Sequence, residues 1–205
     1  MVSHTIYVVD DDDAVRDSLQ ALLEAKGYNV GVYASAEAFL TGYRPGGGGC
    51  ALVDLRMPGM DGLALLRRLA QQGPRLPVIM VTGHADVPLA VEAMKAGAVD
   101  FVEKPYSNEI IHDAVRRALE AAERSDYADV APAETAARLA ALTGRERDVL
   151  EHLIVGHPNK IIAFELNISP RTVEIHRANL MKKMRADSLS HLVRMTLAAG
   201  GIKAR

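Results

Sequence analysis

Four places in this chain carry residue types that could act together: Asp10–Asp11, Asp54, Thr82 and Lys104. Each closes or directly follows a short apolar run, and turn residues interrupt the chain soon after. Such runs read as buried strands. Three carboxylates cannot sit close together ionised without compensation. A hard divalent cation compensates them, and oxygen donors with retained water suit Mg2+. The lysine adds a point charge that pairs with carboxylate or phosphate. The Thr82 hydroxyl adds a hydrogen bond to an incoming oxyanion. These groups make an electrostatic cradle for phosphoryl transfer, where positioning and charge neutralisation do most of the catalysis. Asp54 would be the nucleophile and carry an aspartyl phosphate. Taken alone, Asp54 also reads as a helix-capping residue at a strand–loop junction.

The elements that must bring these residues together alternate along residues 1–124. Strands are expected at Thr5–Val9, Asn29–Tyr33, Cys50–Asp54, Leu76–Thr82 and Val99–Glu103. Between them, apolar residues recur at helical spacing: Val15, Leu19, Leu22 and Leu23, then Leu63, Leu66 and Leu69, then Ile110, Ile111, Val115 and Leu119. Gly27 stops the first helix, and Ser35 and Ser107 stand where caps are needed. Asp12 and Asp13 read as a cap and a favourable charge for the first helix dipole. Pro45–Gly49 reads as a turn or loop. Successive βα units predict an α/β domain built on a doubly wound, five-stranded parallel sheet with right-handed crossovers. All the strand C-termini then share one edge, where open parallel sheets bind ligands.

From Ala141 the chain reads as helices only. Thr143-Gly-Arg-Glu146 is a capping box. A second helix is expected over Asn159–Leu166, with Ser169 and Pro170 as cap and first residue of the next. That third helix, about Pro170–Arg185, places Val173, Leu180 and Met184 on one side. A last helix follows at Ser188–Ala199. Two helices joined by a short turn, the second cationic, suit a helix-turn-helix. A small helical bundle with a solvated charged face fits the same pattern. Ser125–Ala140 reads as a partly helical linker. Residues 1–124 carry 12 Lys/Arg against 17 Asp/Glu, net −5, and residues 141–205 carry 11 against six, net +5. An acidic front and a basic back suggest two tasks, the second on nucleic acid. The chain of 205 residues, 49% hydrophobic and 24% charged, suits one large or two small globular domains. Its single cysteine, Cys50, excludes an internal disulfide and reads as core packing. No run is long enough to span a bilayer. The N-terminus lacks a signal-peptide pattern. A soluble, cytoplasmic protein without membrane partners is expected.

VVDDDD, LVDLRMPGMDG, VTGHAD and DFVEKP, in that order, resemble the receiver domain of two-component response regulators across about residues 4–122. The resemblance implies that Asp54 accepts a phosphoryl group from a sensor histidine kinase. It implies that Asp11, Asp54 and the backbone carbonyl of Arg56 hold Mg2+, with Asp10 acting through water. Lys104 would hold the phosphoryl oxygen, joined to Pro105 by a cis bond. Thr82 and Phe101 match the family's switch pair, whose movement creates a dimerisation surface. LTGRERDVL, PNKIIAFELNISPRTVEIHRANLMKKM and the closing helix resemble the LuxR-type DNA-binding domain. Thr172, Glu174, Ile175 and Ala178 then take recognition positions near base edges. Lys160, Arg171, His176, Arg177, Lys182 and Lys183 become candidates for phosphate contacts, which position more than they specify. The family often has Lys where this chain has Glu174, a carboxylate that could accept from a cytosine amino group.

Together these domains, a receiver over 1–124, a linker over 125–140 and a helix-turn-helix over 141–205, resemble the NarL/FixJ family of transcriptional regulators. FVEKP and SPRTVEIHRANLMKKM are most similar to its FixJ branch. That implies a FixL-like haem sensor of oxygen as kinase, nitrogen-fixation promoters as DNA and activation through RNA polymerase. The expected state is a homodimer on phosphorylation. The expected chemistry is not enzymatic turnover but phosphoryl transfer to its own Asp54 and slow self-dephosphorylation. Regulators of other pathways share most of these motifs. Two other classes fit parts of the sequence. A Mg2+-dependent phosphatase of the haloacid dehalogenase type also uses an aspartyl nucleophile, and Asp10–Asp12 meets its DxD pattern. A protein-interaction module would use the helical domain on a partner protein. His84 reads as a solvated loop residue, and His176 reads almost as well as a helix-packing residue.

Overall fold

The computed structural model describes residues 4–44, 48–71, 76–83, 87–123 and 132–199. The first unit contains strands β1 (Thr5–Val9), β2 (Asn29–Tyr33), β3 (Gly49–Asp54), β4 (Val78–Thr82) and β5 (Asp100–Glu103). Helices α1 (Asp13–Glu24), α2 (Ala36–Gly42), α3 (Gly62–Ala70), α4 (Val87–Lys95) and α5 (Asn108–Glu123) connect or follow them. All strands pair in parallel, in the order β2-β1-β3-β4-β5. The strand order reverses between β1 and β3, so the crevice expected to bind ligands lies at the ends of those two strands. The strands begin close to where the sequence places them. β4 starts at Val78 rather than Leu76, and β5 at Asp100 rather than Val99.

β3 and β4 are buried along their full length, as strands covered by helices on both faces must be. Ile6, Val8, Leu52, Ile79 and Val81 meet Leu19 and Leu23 of α1 and Ile111 and Val115 of α5 in one core. Cys50 belongs to it, and burial pushes its thiol up to about 12, so it packs rather than reacts. Local caps hold the helices that lead away from the sheet edge. Asp12 accepts from Ala14 N at 2.8 Å, Ser35 from Ala38 N at 3.1 Å and Asp61 from Ala64 N at 2.7 Å.

The second unit holds α6 (Pro132–Ala140), α7 (Gly144–Leu153), α8 (Asn159–Glu165), α9 (Pro170–Met184) and α10 (Leu189–Ala198). Val149, Leu150, Leu153, Ile162, Val173, Leu180, Met184 and Leu192 make its core. α6 is a member of this unit: it packs on α9 and α10, and Arg138 Nη1 donates to Met184 O at 3.0 Å. The sequence, which lacks that contact, reads the same stretch as linker. The expected capping box at Thr143 and Glu146 is formed in both directions. Among the described residues no helix is long and apolar enough to cross a membrane.

Candidate functional site

Asp10 follows β1 and Asp54 ends β3, so the switch point of the sheet brings two carboxylates together. Both are nearly buried, at 3% and 8% exposure. Lys104, directly after β5, reaches across the edge and donates to both. Its Nζ lies 2.9 Å from Asp10 Oδ2 and 2.6 Å from Asp54 Oδ1. Its backbone is fixed by Lys104 N donating to Thr82 O at 2.7 Å, and the Lys104–Pro105 peptide is cis. The remaining carboxylate oxygens are also held. Asp12 N donates to Asp10 Oδ1 at 2.9 Å, and Arg56 N donates to Asp54 Oδ2 at 2.6 Å. Arg16 Nη1 closes the end of β1 by donating to Asp10 O at 2.6 Å.

The electrostatics follow from this burial. Desolvation pushes the Asp54 carboxyl above its ordinary value, with Asp10 adding to the rise, although the Lys104 hydrogen bond and charge oppose it. Burial disfavours the Lys104 ammonium. The two carboxylates more than reverse that and raise it to about 12. Two nearly buried carboxylates share this one ammonium, so the edge has room in its charge balance for a further cation. The donors nearby are oxygens, which suits a hard divalent ion. Asp11 is exposed at the mouth. The structure does not gather Asp10, Asp11 and Asp54 as closely as 4.8 Å; Lys104 instead occupies the space between two of them.

Thr82 ends β4, is buried, and its hydroxyl donates to Gly83 O at 3.2 Å. Phe101 is half-buried on β5, in register with Met80 of β4. Pro105 is exposed. His84 lies outside the described residues. The sequence reading missed two supports of the loop after β3. Glu37 Oε1, from α2, accepts from Met60 N at 3.0 Å. Gly62 lies so close to Asp54 that a Cβ there would stand 2.3 Å from the Asp54 carbonyl oxygen. The first carries no local signal, since the partners are 23 residues apart. The second was visible only as a turn residue.

In the second unit, Asn167 (φ 52°) turns the chain between α8 and α9, and Ser169 caps α9 at Thr172 N, 3.0 Å. α9 buries Val173, Leu180 and Met184 and leaves Arg171, Glu174, Ile175, Ala178 and Lys182 exposed. These two sets lie on opposite faces of a 3.6-residue helix. Thr172, His176 and Arg177 are half-buried at the border, and Lys160 is exposed on α8. Arg177 donates to Asn159 Oδ1 at 3.3 Å, and Arg171 pairs with Glu174 at 3.0 Å. Lys183 does not stand free on the cationic face. Its Nζ donates to Glu146 Oε2 at 2.6 Å, inside the capping box of α7. That hydrogen bond holds the Glu146 carboxyl below the usual glutamate range.

A doubly wound sheet with this charged edge, followed by a separate helix-turn-helix unit, defines a receiver coupled to a DNA-binding domain. Residues 6–116 match the response regulator receiver domain, and residues 140–196 match the luxR family of bacterial regulatory proteins. The chain is 51% identical over 201 residues to the transcriptional regulatory protein FixJ of Rhizobium meliloti, covering 98% of each. It is 52% identical over 195 residues to FixJ of Azorhizobium caulinodans, covering 95% of this chain and 92% of that one. Among solved structures, full-length FixJ from B. japonicum matches with a TM-score of 0.56 and 49% identity over 98% of both chains. The chain belongs to the NarL/FixJ family of response regulators. These proteins are phosphorylation-dependent transcription regulators built from a receiver and a LuxR-type DNA-binding domain.

Proposed function

We infer that Asp54 is the phosphoryl acceptor and that its modification controls promoter binding by α9. The observation that carries this reading is the Lys104 ammonium held between two buried carboxylates at the switch point of the sheet. Asp54 would attack the phosphorus of a phosphohistidine, forming a P–O bond as the P–N bond to the kinase breaks. Lys104 would then leave its carboxylate partners in part to hold a phosphoryl oxygen. Asp11, Asp54 and the Arg56 carbonyl would hold Mg2+, with Asp10 acting through water. The ion supplies neutralisation of the charge on the transferring group. Thr82 would turn its hydroxyl from Gly83 toward the phosphoryl group, and Phe101 would move into the space left.

We take residues 1–124 as the receiver and 141–205 as the DNA-binding domain, with a joint over 125–140 whose α6 folds with the second unit. The similarity to FixJ proteins supports a FixL-like sensor kinase, a response to low oxygen and activation of nitrogen-fixation genes through RNA polymerase. All of this would take place in the cytoplasm, where promoter DNA lies. On α9, Thr172, Glu174, Ile175 and Ala178 would approach base edges. Lys160, Arg171, His176, Arg177 and Lys182 would contact phosphates, and Lys183 would do so only by giving up Glu146.

Sedimentation of wild type and Asp54→Asn, with Mg2+ and with or without beryllofluoride, tests the switch. Reversible dimerisation of wild type alone supports it. An unchanged monomer in wild type with beryllofluoride bound would refute the coupling between acceptor and dimer.

A further inference from the structure

A second cluster of chemically capable side chains lies away from the sheet edge. His152 stands in the last turn of α7. His157 follows Gly156, whose φ of 92° turns the chain at the end of that helix. Glu165 is the last residue of α8. Three of their atoms form a triangle. His152 Nδ1 is 3.0 Å from His157 Nδ1 and 2.9 Å from Glu165 Oε2, and His157 Nδ1 is 3.4 Å from the same oxygen. Among the described residues it is the one group of three His, Cys, Asp or Glu side chains with ligand atoms within 4.8 Å of one another.

Hydrogen bonds satisfy this triangle incompletely: one His152 N–H shared between His157 Nδ1 and Glu165 Oε2 still leaves the 3.4 Å contact of His157 with Glu165 without a proton. Each Nδ1 carries at most one proton, and an ionised carboxylate carries none. Two protons at most serve three short contacts. Either two lone pairs face each other, or two N–H groups meet at 3.0 Å. A cation bound to all three atoms removes the conflict. Its size is constrained by the geometry: zinc bonds of about 2.05 Å at tetrahedral angles put ligand atoms about 3.3 Å apart. The observed separations of 2.9–3.4 Å need adjustments of only a few tenths of an ångström. Two imidazoles and one carboxylate are donors for a borderline transition cation rather than for Mg2+. The side chains are 22%, 32% and 41% exposed, so an ion could enter and a water could complete the shell.

We propose that His152, His157 and Glu165 are a Zn2+ site that ties the end of α7 to the end of α8. The site stands two residues before Asn167, the turn that leads into α9. Bound metal would therefore fix the end of α8 against the end of α7, next to the turn into α9. Neither His nor Glu here takes part in the phosphoryl-acceptor chemistry, so the proposal stands apart from the reading of Asp54.

The test uses the untagged full chain in saturating Mg2+, which would occupy the acidic edge first. Zn2+ is titrated by calorimetry, Co2+ is used as a spectroscopic substitute, and melting is followed with and without Zn2+. The expected result is one Zn2+ per chain, the visible absorption of four-coordinate Co2+, and a higher melting temperature with Zn2+. Loss of even an outer-shell partner weakens metal affinity about 10–100-fold. His152→Gln, His157→Gln and Glu165→Gln should each weaken Zn2+ binding by at least that and abolish the Co2+ spectrum. Glu165→Gln is isosteric and should melt like metal-free wild type, which separates loss of a ligand from loss of fold. Equal Zn2+ affinity in wild type and the three variants, an octahedral Co2+ spectrum in wild type, or no bound Zn2+ would overturn the proposal.

Discussion

Gly62→Ala is a one-carbon change that should damage the acceptor site from behind. Gly62 opens α3, and its N–H donates to Leu55 O at 3.1 Å. An added Cβ would stand 2.3 Å from Asp54 O, 2.8 Å from Met80 Cε and 3.1 Å from Asp54 C. The Met80 methyl can turn aside. The Asp54 carbonyl is part of the fully buried β3 and cannot. Ordinary contact requires the backbone to separate by about 1 Å, a strain that overpacked sites usually express as about 1–3 kcal/mol of destabilisation. The residue displaced is Asp54 itself, whose carboxylate makes hydrogen bonds of 2.6 Å to both Lys104 Nζ and Arg56 N. A misplacement of about 1 Å at a reacting group costs about 10²-fold in rate. Phosphorylation by a small acyl phosphate with Mg2+, and thermal melting, should therefore both suffer. Gly144→Ala is the control. It opens α7 in the same way, but its Cβ would meet nothing within 4 Å. That variant should hold or slightly raise the melting temperature. Wild-type rate and wild-type melting in Gly62→Ala would refute the reasoning.

Lys183→Gln removes the ammonium from the nearly buried Glu146 while the Thr143 N–H remains at 2.7 Å, so about 1 kcal/mol of stability should be lost. Its DNA-binding salt slope should stay at the wild-type value, and a slope reduced by about one would show a phosphate contact instead. The same pair makes the second unit acid-sensitive. The folded Glu146 carboxyl lies below its usual range because of the Lys183 hydrogen bond, so its contribution is complete above the unfolded value and disappears as pH falls through the folded one. Melting across that acid range should fall in wild type and stay flatter in Glu146→Gln. Lys182→Ala and Arg177→Ala should each weaken promoter binding and reduce its salt dependence, and unchanged slopes would remove them from the interface.

What was legible in the sequence was local or periodic. The apolar runs ending in Asp10, Asp54, Thr82 and Lys104 placed four rims on one edge, because strand direction is common to a parallel sheet. The caps at Ser35, Thr143 and Ser169 were legible because each partner lies within one helical turn. Contacts between distant residues left no such trace. Glu146 and Lys183 are 37 residues apart, so Lys183 looked like one more cation on a basic helix. Arg138 reaches Met184 across 46 residues, and without that contact α6 looked like linker. The triangle of His152, His157 and Glu165 depends on how the end of α8 returns to the end of α7, which spacing does not encode. Lys104 was expected at the site, but not that it would fill the space between Asp10 and Asp54.

The most direct measurement is intact-mass analysis of wild type and Asp54→Asn after incubation with a small acyl phosphate and Mg2+, followed by peptide mapping of any adduct. One phosphoryl group on wild type, mapped to Asp54 and missing from the variant, is the predicted result. An equal adduct on Asp54→Asn, or one mapped to a residue away from the edge formed by Asp10, Asp54 and Lys104, would contradict the account.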